Sequence, residues 1–327
     1  MTPVELSRTV LHAVRRAVDE GELEVTVPER VVVGEPGPGG CGDYATNVAL
    51  RMAGAAGRKP LEVAEVLRSR LVEVDGIRDV VITGPGFLNI SLTRSADPAP
   101  GLVREIRELG AGYGFSDELA GQVVVLRVPY DVRAEVVADA VARIVATQGG
   151  RAEVEHGEPV NLRPVPAAED PAPLGADAAQ WALLYPAAHD RPRITADHLV
   201  QRESNPLFRV RYAHARVRSV SRNAARLGFT AEPGRYGADD LVRPLVTALA
   251  AHPRILAAAA THRAPDRVAR HLVTVADAVL PFVPTVLPSG EEKPSAAHRA
   301  RLALAEAAGT VLAGGLSLLG IDAPEHL

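Results

Sequence analysis

Between Arg202 and Arg226 the chain carries seven arginines (202, 209, 211, 216, 218, 222 and 226) against one acid, Glu203. Guanidinium forks at this density suit polyanions, because each can grip two phosphate oxygens or lie flat on an unpaired base. Tyr212 and His214 add rings inside the run, fit either to stack on bases or to pack within the protein. The alternative is a plain solvated helix face. Of 36 basic residues only Lys59 and Lys293 are lysines, so arginine is used throughout and its local abundance carries less weight.

Other chemistry is thinly supplied. In "GDYATN" (Gly42–Asn47), Tyr44 and Asn47 place a ring and a side-chain amide three residues apart. The same stretch also reads as a helix start, with Asp43 as cap and Tyr44 and Val48 packing inward. The glycine-rich "GEPGPGG" lacks the Gly-Lys-Ser/Thr ending of a phosphate loop and reads as a turn. The ten histidines have no metal-ligand spacing and Cys41 is the single cysteine, so neither a metal nor a cofactor is expected. No Gly-x-Ser-x-Gly elbow occurs; Ser317 falls in an apolar helix, and the carboxylates form no distinguishable acid–base pair.

The elements that would position these residues follow from period and punctuation. "TPVELSRTVLHAVRRAV" predicts a helix with Thr2 as cap, Pro3 at its first position and Glu5 closing a capping box. "LEVTV" and "RVVV" predict strands. Two helices follow, "DYATNVALRMAGAAG" and "KPLEVAEVLRSRLVEV", then the strands "DVVIT" and "GFLNISL" and a linker over Thr93–Gly101. Residues 102–157 read helix, strand, helix, strand, one βαβ-type unit. The proline-rich 159–175 reads as a crossover, and almost everything after Asp177 as helix. The arginine run itself has Asn205 as cap, Pro206 at the first helical position and Gly228 as stop. Val210, Ala213, Val217, Val220, Ala224 and Leu227 form its apolar stripe. Further helices are predicted over "ADDLVRPLVTALAAH", "PRILAAAATH", "DRVARHLVTVADAVLPFV" and "SAAHRARLALAEAAGTVLAGGLSLLG".

The fold class is α/β plus all-α. A small α+β domain (1–93) precedes a linker with a reduced βαβ unit (94–175) and a helical bundle (176–327). A length of 327 residues suits two or three domains, and 47% hydrophobic residues with a net charge of −4 describe a globular chain with room for only a local basic patch. No apolar run nears membrane-helix length, the first residues have no apolar signal core, and one cysteine suits a reducing compartment, so a cytoplasmic location is expected.

Three stretches together resemble arginyl-tRNA synthetases. "CGDYATNVALRMAGAAGRKPLEVAEVLRSRL" with "GPGFLNISL" is similar to their N-terminal domain, and "NPLFRVRYAHARVRS" to the helix that opens their DALR-type anticodon-binding domain. "RLALAEAAGTVLAGGLSLLGIDAPEHL" is similar to the close of that domain. "LGADAAQWALLYPAAHDRPRITADHL" resembles the junction between catalytic and anticodon-binding domains. The departures are as informative. Where the family has His-x-Gly-His after its first catalytic strand, this chain has "VVVLRVPYDVRAEVVADAV". No histidine lies between His12 and His156, and the Lys-Met-Ser-Lys-Ser-type loop is absent.

The resemblance therefore implies a paralogue whose catalytic core is largely missing, holding tRNA (arginine tRNA in the first instance) by its two end domains. It turns Arg209, Arg211, Arg216, Arg218 and Arg222 into candidate phosphate contacts, with Tyr212 and His214 beside them. Tyr44 and Asn47 become candidate contacts to the tRNA elbow. Two other readings stay open: a regulatory module whose arginines face an acidic protein partner, and residual ligase-type activity completed by a partner chain.

Overall fold

Helix α1 (Pro3–Asp19) turns Leu6, Val10, Ala13, Val14 and Ala17 to one side, and all five are buried. The computed structural model describes residues 3–34, 36, 37, 40–92, 98–236 and 240–327. Thr2, Glu35, Pro38, Gly39 and the linker residues 93–97 lie outside the described residues. The chain divides into two compact units, residues 1–101 and 102–327.

In the first unit an antiparallel sheet of order β1-β3-β2 (Tyr44–Thr46, Phe87–Leu92, Ile77–Thr83) is packed by α1, α2 (Val48–Ala53) and α3 (Pro60–Val72). Its core joins Leu6 and Val10 to Leu67, Leu71, Leu88 and Ile90. The expected helix over "DYATNVALRM" begins later, because Tyr44 pairs with Ile90 as strand. Asp43 caps no helix: its amide donates to the Ile90 carbonyl (2.9 Å) and its carboxylate accepts the Leu92 amide (2.8 Å). Gly42 makes this possible. Its φ is +81°, and a Cβ there would sit 2.9 Å from the Ile90 oxygen. The expected strands at 23–33 form no ladder among the described residues. Val31 and Val33 are buried on alternate positions, and a single bridge joins Gly34 to Ala45. The turn expected over the glycine-rich stretch falls in part on Glu35, Pro38 and Gly39, outside the described residues; the Gly40 amide donates to the Gly37 carbonyl at 2.9 Å.

Pro98–Gly101, read as linker, instead form the first turn of α4 (Pro98–Leu109). The second unit then runs β4 (Val123–Val128), α5 (Val132–Ala146) and β5 (Arg151–His156), with β4 and β5 parallel from Val123↔Arg151 to Val128↔His156. This is the expected βαβ crossover, and the sheet has two strands. Arg133, 1% exposed, donates to the carbonyls of Val165, Leu183, Pro186, Ala187 and Asp190 at 2.6–3.0 Å. One guanidinium thus satisfies five main-chain acceptors where the proline-rich crossover meets the end of α6 (Ala176–Leu184).

The bundle is α7 (Pro206–Arg226), α8 (Val242–His262), α9 (Pro265–Phe282) and α10 (Ala296–Leu318). Helix α8 was expected as two helices divided at Pro253; it runs through. Pro253 lacks the N–H that would bond the Leu249 carbonyl, and the Tyr113 hydroxyl donates to that oxygen instead, at 3.1 Å. Helix α10 starts in a capping box: Ser295 accepts the His298 amide while His298 Nδ1 accepts the Ser295 amide. Further along, Gly309 lets α10 approach α7, since a Cβ there would meet Val217 at 2.9 Å.

Candidate nucleic-acid interface

Helix α7 is built as its sequence dictates. The Asn205 side-chain oxygen accepts the amides of Leu207 and Phe208, and its amide group donates to the carbonyls of His198 and Val200, which fixes the helix entry. Pro206 takes the first helical position, and Gly228 leaves the helix at φ +75°. Val210, Ala213, Val217, Val220 and Ala224 are buried, whereas Leu227, expected to complete the stripe, is 52% exposed one residue past the helix end.

With that stripe turned inward, the arginines sort by partner. Arg209 pairs with Asp277 of α9 and Arg211 with Asp177 of α6 (3.3 Å). Arg218 Nε and Arg222 Nη1 reach the two oxygens of Glu325 at 2.9 and 3.2 Å. Among the described residues Arg226 has only Asn223, at 3.5 Å. Arg216 is exposed and has no hydrogen-bond or ion-pair partner among the described residues. The rings divide as well. Tyr212, 38% exposed, stacks on Phe208 with centroids 5.4 Å apart and planes 16° from parallel. His214, expected beside it as a base contact, is instead 6% exposed, and its Nδ1–H donates to the Pro324 carbonyl at 2.9 Å. Burial, opposed by that hydrogen bond, holds His214 below the ordinary imidazole pKa, so it is a neutral packing residue at pH 7.

Phe208, Tyr212 and Arg216 therefore follow one another at four-residue steps: two stacked rings and an open guanidinium on one stripe. Chemically this stripe can stack an unpaired base and neutralise a phosphate beside it. Phe208 was not singled out from sequence, although its spacing to Tyr212 was the available signal.

In the first unit Tyr44 is half-buried in β1, and Asn47 is exposed at the start of α2 with no capping hydrogen bond. Arg51, Arg58 and Lys59 follow within twelve residues; all three are exposed and without a partner among the described residues. These cations were also missed from sequence, since nothing local distinguishes them from ordinary surface charge.

In the stretch "VVVLRVPYDVRAEVVADAV", which stands where the resembled family has His-x-Gly-His, Asp131 caps α5 and its carboxylate accepts the Ala134 amide at 3.0 Å. Tyr130, 87% exposed, stacks on His156 (4.3 Å), and His156 Nε2 lies 3.3 Å from Glu135. A helix N-terminus attracts phosphate through free amides and its dipole; here a carboxylate already stands there.

The comparisons agree with this anatomy. The family model for the arginyl-tRNA synthetase N-terminal domain matches residues 5–92, and the DALR anticodon-binding domain model matches residues 210–327. The chain carries both end domains of an arginyl-tRNA synthetase. An arginine–tRNA ligase of Frankia alni is 42% identical over 159 residues, covering 46% of this chain and 28% of that protein. One of Renibacterium salmoninarum is 45% identical over 127 residues, covering 38% and 23%. The matched part thus spans under a third of those relatives' length. Among solved structures, Thermus thermophilus arginyl-tRNA synthetase superposes with a TM-score of 0.60 at 15% identity over 100% of both chains. The Plasmodium falciparum enzyme gives 0.64 at 9% identity over 99% of each, again a likeness of fold. The synthetase-like chain has no helix among its described residues long and apolar enough to cross a membrane.

Proposed function

We propose that this synthetase-like chain binds tRNA without charging it. The observation that carries the reading is the Phe208–Tyr212–Arg216 stripe on the helix with which the DALR match begins. In this reading the helical domain (176–327) holds the anticodon arm, with Tyr212 stacking on a base and Arg216 on the neighbouring phosphate. The N-terminal domain (1–93) meets the elbow through Asn47, Tyr44 and the cations Arg51, Arg58 and Lys59. Arg209 and Arg211, each already paired with an acid of a neighbouring helix, hold α7 in the bundle rather than meeting the RNA. Residues 94–175 are then a reduced catalytic domain. Two parallel strands offer no crevice where strand order reverses, and the Asp131 carboxylate opposes a nucleotide phosphate at the α5 N-terminus. The cytoplasm, where tRNA is charged, is the compartment this reading requires.

The test is equilibrium binding of arginine tRNA and of an unrelated tRNA at low and near-physiological salt, beside arginine-dependent pyrophosphate exchange. Salt-sensitive binding with a preference for arginine tRNA and no exchange supports the reading. Exchange by the isolated protein, or on adding a partner chain, overturns the non-charging part. Absence of binding even at low salt overturns the RNA part. The second reading, a module facing an acidic protein surface, then takes its place, and four α7 arginines already pairing with carboxylates favours it.

A further inference from the structure

Residues 322–326 cross the arginine side of α7 as a strap. The Asp322 amide donates to the Asp177 carboxylate (3.2 Å), and the His214 ring donates to the Pro324 carbonyl (2.9 Å). Arg222 Nη2 donates to the Glu325 carbonyl (3.3 Å) and to His326 Nδ1 (3.2 Å). At the centre, the Glu325 carboxylate is shared. One oxygen takes Arg218 Nε at 2.9 Å and the other takes Arg222 Nη1 at 3.2 Å, from guanidiniums one helical turn apart.

Two guanidiniums converging on two oxygens of one anion is the arrangement that also holds the non-bridging oxygens of a phosphodiester. The Arg218 hydrogen bond keeps the Glu325 carboxyl below the usual carboxylate range, so it is ionised at neutral pH. The Glu325 side chain is also 53% exposed, and an exposed ion pair is cheap to exchange.

Resting on the tRNA-binding reading above, we infer that Arg218 and Arg222 form an RNA phosphate site that Glu325 occupies in the free protein. Binding RNA exchanges the carboxylate for a phosphate oxygen pair and lifts the side chain from α7. Glu325 is thereby an internal competitor that lowers affinity for polyanions too weak to displace it. His214 and Asp177 hold the strap's backbone while the exchange takes place.

The experiment compares tRNA binding at low salt by four versions of this 327-residue chain: wild type, Glu325→Gln, Arg218→Gln/Arg222→Gln, and the triple variant. Glutamine keeps the shape and removes the competing charge, so Glu325→Gln is expected to bind about three- to tenfold tighter. In the arginine-free background the same change is expected to give no gain. A gain of equal size there would reduce Glu325 to a general surface charge and overturn the inference. So would wild-type binding that Glu325→Gln leaves unchanged or weakens. Failure of both wild type and Glu325→Gln to bind any tRNA overturns the tRNA reading and the inference together. Thermal melts within a few degrees of wild type accompany each variant, as expected for an exposed pair.

Discussion

Phe208 and Tyr212 stack one turn apart on α7, with centroids 5.4 Å apart and planes 16° from parallel, and Tyr212 keeps 38% of its surface open. Phe208 fixes the Tyr212 ring, so a base that stacks on it meets a surface already ordered. Tyr212→Ala is expected to weaken tRNA binding by about 1 to 3 kcal/mol, the usual worth of a base–aromatic stack. Tyr212→Phe should bind nearly as wild type. Anisotropy titrations of both variants check this, and a loss in the phenylalanine variant would point to the hydroxyl instead of the ring.

Arg51, Arg58 and Lys59, exposed beside Asn47 in the chain, give the N-terminal unit its own electrostatic footprint. Replacing Arg51, Arg58 and Lys59 together by alanine is expected to flatten the dependence of log affinity on log salt. The slope should drop by roughly 0.7 to 0.9 for each charge that meets a phosphate. Binding measured at four or five salt concentrations gives the slope directly. An unchanged slope would remove this face from the RNA interface.

Arg133 is a different kind of arginine. It is buried against five carbonyl oxygens, and burial pulls its pKa below the ordinary guanidinium value, though the group stays charged. Arg133→Met would fill similar volume and leave those acceptors unsatisfied. A loss of at least about 3 kcal/mol in urea unfolding is expected. Lysine, with a single ammonium, should recover only part of it.

How much of this was legible in sequence depends on how local each determinant is. Asn205, Pro206 and Gly228 bounded α7 correctly because caps and stops act within a turn of the helix end. The βαβ crossover was legible for the same reason, from period and chain order. Asp43 misled because its partner, the Leu92 amide, lies 49 residues away, while Tyr44 and Val48 happen to share helical spacing. Pro253 misled because the Tyr113 hydroxyl that compensates it comes from another element, 136 positions from Leu249. The α7 arginines look alike in sequence; the acids that separate Arg216 from Arg211, Arg218 and Arg222 arrive from Asp177 and Glu325, and no local pattern announces them.

His252 and His271 set the acid limit of the helical unit. They stack at 5.3 Å, are 3% and 5% exposed, and His252 Nδ1 and His271 Nε2 have no hydrogen-bond partner among the described residues. Burial pushes their pKa values down to about 3 and about 4, reinforced at His252 by His271 and at His271 by Arg254. In the unfolded chain both should titrate near the ordinary value of about 6.5. The unfolded state therefore binds more protons than the folded state between those limits. Stability should be flat above about pH 6.5 and fall as the pH drops towards about 4. At pH 5 the loss should be on the order of 2 kcal/mol per histidine. Urea unfolding of wild type and His271→Leu at pH 7.5 and 5 checks this: the variant should lose about half as much stability on acidification, and an equal loss in both would assign the acid sensitivity to other groups.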